Sequence, residues 1–341
     1  MRTGLSILGA LALAAGVAAC SDGDGGGARS AANAQSAGGW THPLTPWGDP
    51  DLRGMWPIDH MNGTPLQRPE AFGERRFLTD EEFAERAGRL EALNARYDNE
   101  IDSNTMGIGH WAEMGEPNRL TSLVVEPANG RLPPMTEQGE RISATMRSSW
   151  SEPAVFDSIA DFNALDRCIT RGLPASMFPF MYNSGIQIMQ APGYVVIRLE
   201  IVHETRIIPV DGRPALAPEI KHWMGESRGR WEGNTLVIET TNFNGESPMT
   251  IVGPRTQPIP TSGSLKITER LARTAEDTIE YEITVEDPVT ITRPWTAAYP
   301  WRLDREYEFF EYACHEDNHT IRDFITTSRY ERARQAQPAA E

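Results

Sequence analysis

From about Ser184 the chain alternates between apolar and polar positions. In "TIEYEITVED", Ile279, Tyr281, Ile283 and Val285 fall on one face and Glu280, Glu282, Thr284 and Glu286 on the other. That is the two-residue period of a strand with one dry side. "GIQIMQ", "GYVVIRLEIVHE", "TRIIPV", "GRWEGN", "TLVIETTNF", "SLKITERLAR", "VTITRPW" and "YEFFEYAC" have the same strand-like composition. Gly, Pro, Asn and Asp separate them, with hairpin-like turns at "APG", "VDGRP" and "WEGN". No segment of crossover-helix length intervenes, so the pattern predicts antiparallel, meandering strands.

The N-terminal part has a different texture. "LTDEEFAERAGRLEALNARY" places Phe83, Ala87, Leu90 and Leu93 at helical spacing, with Thr79 and Glu82 forming a capping box at its start. "LTSLVVEPANGRLPP" (120–134) reads as a short strand, a Gly turn and a Pro stop, and a second helix is expected from Thr136. Residues 40–69 are rich in Pro, Gly and Trp without a period, and residues 150–182 are irregular. The expected fold is therefore mainly β: an antiparallel lipocalin-like barrel or strongly curved sheet over residues 183–330. The Pro/Trp-rich arm and helices of residues 40–182 pack on it, and residues 331–341 form a disordered tail.

The ends change the picture. "MRTGLSILGALALAAGVAAC" has one Arg, then an apolar run of signal-peptide length, which predicts export rather than a spanning helix. Its end resembles a bacterial lipobox, which implies cleavage after residue 19 and lipidation of Cys20. Residues 20–39 then form a flexible tether poor in apolar groups. Asp22 does not directly follow the cysteine, so the outer membrane, facing the periplasm, is the expected anchor. With 48 acidic against 32 basic residues the chain is a poor partner for nucleic acid or anionic lipid, leaving the lipid anchor as its membrane contact. Of the three cysteines, Cys168 and Cys314 remain after Cys20. In an oxidising compartment they are expected to pair, closing a loop worth about 4–5 kcal/mol in the chain-entropy picture. A bridge would bring "DRCITRG" beside "ACHEDNH"; two buried free thiols are the alternative.

Several segments resemble an uncharacterised family of exported bacterial proteins: "WGDPDLRGMW", "RCITRGLP", "TRIIPVDGRP", "RGRWEGNTLVIETTNF", "TVEDPVTITRPWT" and "YACHEDNH". The resemblance runs from about Trp47 to His319. It implies no settled activity, and it implies that the position of His319 can hold Tyr.

The chemistry-bearing residues are few. "HEDNH" has the spacing of a zinc helix, with His315 and His319 as ligands and Glu316 as base. Asp317 and Asn318 prefer turns to helix, however, and the preceding segment reads as a strand. Zinc through His315 and His319 is therefore kept only as an alternative, and no cofactor is expected. His203 shares the alternating apolar face of Val195, Ile197, Leu199 and Ile201, late in its strand, where it is either a core histidine or a general base. Arg167, Arg171, Tyr182 and Asn183 surround an aromatic, Met-bearing segment that can clamp an anionic or polyhydroxylated ligand or plug one end of the barrel. Arg206, Trp295 and Tyr299 are further ligand-binding candidates, with core filling as the alternative for the two aromatics. There is no nucleophile elbow, phosphate loop, dinucleotide fingerprint or haem-attachment site.

The functional expectation is an envelope lipoprotein with a cavity for a small organic ligand. If it is an enzyme, it is a lyase, isomerase or hydrolase using His203 and His315 as base and acid. Tyr182, Arg171 and Glu316 would assist. The alternatives are a non-catalytic binding or structural envelope protein and a zinc metallohydrolase. The oligomeric state is left open.

Overall fold

The computed structural model describes residues 40–149, 155–250 and 258–336. The expected signal, Cys20 and tether lie outside the described residues, as does the end of the expected tail.

The alternating segments form antiparallel strands, as their periods predict. A smaller sheet has the order β1 (Gly54–Met55), β3 (Ile186–Ala191), β4 (Tyr194–Leu199), β5 (Thr205–Pro209). A larger one has the order β2 (Val124–Glu126), β10 (Trp295–Arg302), β9 (Thr278–Glu286), β8 (Lys266–Ala275), β7 (Thr235–Thr241), β6 (Glu226–Glu232). Their inner faces supply one continuous apolar cluster, including Ile188, Val195 and Ile197 from the first sheet and Leu271, Tyr281, Ile283 and Trp301 from the second.

The sheets do not close into a barrel among the described residues, because β5 and β6 are not hydrogen-bonded partners. β5 ends at Pro209, and the connection to β6 carries Pro214 and Pro218. Proline lacks the N–H that continuous pairing needs. The two sheets are instead tied by a buried ion pair, Arg206 of β5 with Glu269 of β8. Arg206 Nη1 lies 3.0 Å from Glu269 Oε1, and Tyr281 Oη donates to the same oxygen at 2.8 Å. Ser227 and Thr240 hydroxyls accept from Arg206 Nη2 at 3.3 Å.

The expected helices form where their caps predict. α1 (Asp80–Asp102) begins with the Thr79–Glu82 capping box, and α2 (Glu137–Ser143) is capped by Thr136. Two expectations fail at the C-terminal end. "YEFFEYAC" is irregular rather than a strand: residues 303–319 form a strap whose polar atoms bond to other segments. Beyond it α3 (Thr320–Gln335) replaces both the end of the expected barrel and much of the expected disordered tail. Its Phe324 packs edge-on against the stacked rings of Phe156 and Phe162, so tertiary contact holds a helix whose own apolar content is low.

Candidate functional site

The β4–β5 hairpin is where alternation breaks down. Residues Val195, Ile197, Leu199 and Ile201 are buried as the period predicts, but the chain turns at Glu200, and Val202 and His203 take positive φ values of 57° and 43°. The Leu199 N–H donates to the Glu204 carbonyl at 2.8 Å and closes the loop. His203 is therefore exposed on a turn rather than inward on a strand, which corrects the expected core-facing position. Its ring Nδ1 lies 3.0 Å from the Tyr312 carbonyl of the strap.

Cys168 and Cys314 form a disulfide with Cα atoms 5.6 Å apart, as expected. It fastens the strap to the "DRCITRG" segment and so brings Tyr312 toward Arg171 and Tyr182. Arg171 is 4% exposed. One of its nitrogens, Nη1, donates to the Phe178 carbonyl at 3.2 Å, and the guanidinium stands 4.5 Å above the Phe180 ring. Nε and Nη2 have no hydrogen-bond partner among the described residues. The groups that act electrostatically on Arg171 are the phenols of Tyr182, Tyr299 and Tyr312, with no carboxylate among them. Burial lowers its pKa to about 10, so it remains a cation at neutral pH. The phenols of Tyr182 and Tyr312 lie close enough to perturb each other, and burial pushes both up, keeping them protonated.

Glu204 completes the arrangement. It is half-buried next to His203, and burial raises its pKa to about 7, opposed by the nearby Thr170 hydroxyl and the charges of Arg206 and His203. Thr170 precedes Arg171 in the chain, so Arg171, Tyr182, Tyr312, His203, Glu204 and Thr170 form a ring of neighbouring residues. Backbone strain gathers around it. Among the described non-glycine residues with positive φ, Cys168, Asn183, Val202 and His203 border this region, whereas Asn104, Asn242 and Asp317 lie elsewhere. Unfavourable backbone of this kind persists where surrounding structure enforces it, and it concentrates at functional sites.

Asn183 sits beside the ring and donates from Nδ2 to Glu200 Oε1 at 3.0 Å. The Glu200 carboxylate also accepts from the Gly185 N–H at 3.2 Å. A side chain on Gly185 would put its Cβ 2.5 Å from Glu200 Oε2, so only glycine allows this approach.

The other expected site residues are dispersed. His315, Glu316 and His319 are exposed beyond the disulfide. His315 begins a turn and His319 is only the N-cap of α3, so the helical alignment that the zinc motif needs is absent. Among the described residues no group of three or more His, Cys, Asp or Glu is arranged to hold a metal. Arg206, Trp295 and Tyr299 were expected to touch ligand, but they lie in the interior between the sheets. On β10 the alternating residues Trp295, Ala297, Tyr299 and Trp301 all face inward, and the Tyr299 hydroxyl bonds to the Met177 carbonyl. Arg167 lies away from the ring, 6.0 Å from the Trp223 ring centroid. Sequence reasoning did not select Glu204, Tyr312 or Thr170. Their only linear signal was adjacency to His203, Cys314 and Arg171.

Comparison of the chain with protein-family models, with curated proteins and with solved structures gives no match.

Proposed function

We propose that this is an envelope lipoprotein that binds a small organic anion at the Arg171–Tyr182–Glu204 ring and moves a proton on it, as an isomerase or lyase. The observation that carries this reading is Arg171: a buried cation with no carboxylate partner and two nitrogens unbonded. Burying a charge without a counter-charge is costly, and a ligand carboxylate or developing oxyanion would offset that cost. In this scheme Arg171 holds the anionic oxygen, and Tyr182 donates a hydrogen bond from its protonated phenol. Glu204, poised near neutral pH, takes or returns the proton. His203, at the rim, fixes Tyr312 through its carbonyl. Only the chain's own side chains are needed. The ligand sits at the sheet edge under the strap, rather than in a lipocalin-like lumen.

A second reading, a binding or structural envelope protein without turnover, is favoured by the aromatic residues that fill the space between the sheets. Metabolite capture on the detergent-extracted full-length protein separates the two. Catalysis predicts enrichment of a small carbonyl-bearing anion that Glu204→Gln still captures but no longer converts, and that Arg171→Lys captures poorly. Capture without conversion by the wild type supports the second reading. No anion captured at all, with Arg171→Lys unchanged in stability, removes both ligand readings. Membrane fractionation of Cys20→Ser tests the anchor: release into the soluble fraction is expected.

A further inference from the structure

A second cleft, separate from the ring, opens where the end of α2, the turn at residues 160–164 and the loop at 245–247 meet. It encloses about 250 Å³. Ile142, Met146 and Phe162 give it an apolar wall. Its charged lining consists of Arg147, Asp161, Arg167 and Glu246. Arg147 is already engaged, 3.2 Å from Asp161 Oδ1 and 3.3 Å from the Val155 carbonyl. Arg167 is not: among the described residues its guanidinium has no ion pair, only the face of Trp223. Ser247, 4% exposed, closes the floor of the cleft, with its Oγ buried against Gly172 and out of a ligand's reach. Asn163 adds an amide whose Oδ1 already accepts from the Asp166 N–H at 2.9 Å, which leaves its NH₂ to donate.

We infer that this cleft binds a small monocarboxylate with an apolar tail. The unpaired Arg167 guanidinium and the Asn163 NH₂ supply donors for two carboxylate oxygens. The wall of Ile142, Met146 and Phe162 takes the tail, and the volume suits a chain or ring of about six carbons. Glu246 is exposed at the same cleft and carries a negative charge, which disfavours a dianion such as phosphate more than a monoanion. The ligand would stack no charge on Asp161, which Arg147 neutralises.

The test is titration of the full-length protein with hexanoate, benzoate and inorganic phosphate, followed by calorimetry or ligand-observed NMR. Saturable binding of a monocarboxylate is expected, weaker for phosphate. Arg167→Gln should weaken it at least tenfold. Asn163→Asp should weaken it several-fold without lowering the melting temperature, since it keeps the acceptor for the Asp166 N–H and removes only the donor. Tyr182→Phe and Glu204→Gln, which alter the ring, should leave it unchanged. The inference is overturned if neither monocarboxylate saturates, if phosphate binds more tightly, if Arg167→Gln and Asn163→Asp bind like wild type, or if Tyr182→Phe removes the binding.

Discussion

The phenol of Tyr307 stands between two buried carboxyls, 2.9 Å from Glu113 Oε1 and 2.6 Å from Glu200 Oε2. One phenol has one proton to donate, so the second carboxyl can complete its bond only by supplying its own. Glu200 also receives the Asn183 amide and the Gly185 and Phe310 N–H groups, which suits a carboxylate. Glu113 receives the Ser184 N–H, and burial raises its pKa. The pair thereby pins the strap to the end of the smaller sheet.

Glu113→Gln should cost less than loss of the phenol, because an amide keeps an acceptor for the Ser184 N–H and can donate to the phenol oxygen. Tyr307→Phe should cost about 1–3 kcal/mol, since it strands two buried acceptors. It should also raise amide hydrogen exchange across residues 303–314. Equal stability of Tyr307→Phe and wild type in urea titrations would show that the strap is held by other contacts.

Two buried groups should impose opposite pH dependences. Glu204 titrates near 7 in the fold against 4.5 when unperturbed, so the folded state binds the extra proton. Its contribution is complete below about pH 4.5 and is lost as pH rises to 7, amounting to ~2–3 kcal/mol. Glu204→Gln should become progressively more stable than wild type across that window. His60 is buried with Nε2 3.2 Å from the Pro300 carbonyl, and its pKa is lowered from 6.5 to about 4 by burial first and then by Arg302. There the unfolded state binds the extra proton, so stability is lost as pH falls from 6.5 to 4. His60→Gln should flatten that acid limb, as read from denaturation midpoints at half-unit pH steps.

Removing the bridge should loosen the site before it unfolds the sheets. A Cys168→Ala, Cys314→Ala variant should lose about 2–4 kcal/mol and admit protease between Arg302 and Thr320. Cleavage that begins instead within the hairpins of the larger sheet would contradict the placement of the strap as the part the disulfide restrains.

The inter-sheet pair should be costly to break and cheap to replace. Glu269→Leu alone leaves Arg206 buried and unpaired, a loss of about 3–5 kcal/mol. Arg206→Met together with Glu269→Leu should recover most of it. A double variant no better than Glu269→Leu, measured by chemical denaturation, would mean that the pair also specifies how the sheets align.

Much of this chain is settled locally. The two-residue period at 279–285 makes β9 because one face is apolar whatever the neighbours are, and Thr79 with Glu82 starts α1 because both cap partners lie within one turn. Asp317 and Asn318 likewise kept the "HEDNH" segment out of a helix, and the cysteine pair was legible because few cysteines were present to choose from. What the sequence left undecided depends on groups distant along the chain. His203 continues an apolar alternation on paper, but the buried Glu200, anchored by Tyr307 and Phe310 from more than a hundred residues away, turns the backbone before it. "YEFFEYAC" has strand composition, yet its polar atoms meet Glu113, Glu200 and His203 instead of a neighbouring strand, so it became a strap. Arg206, Trp295 and Tyr299 look like ligand contacts until the second sheet covers them. Arg171, Tyr182, Tyr312 and Glu204 become neighbours because the disulfide and the β4–β5 turn deliver them to the same place: composition and periodicity record what a residue prefers nearby, whereas a site is set by which distant segments arrive beside it.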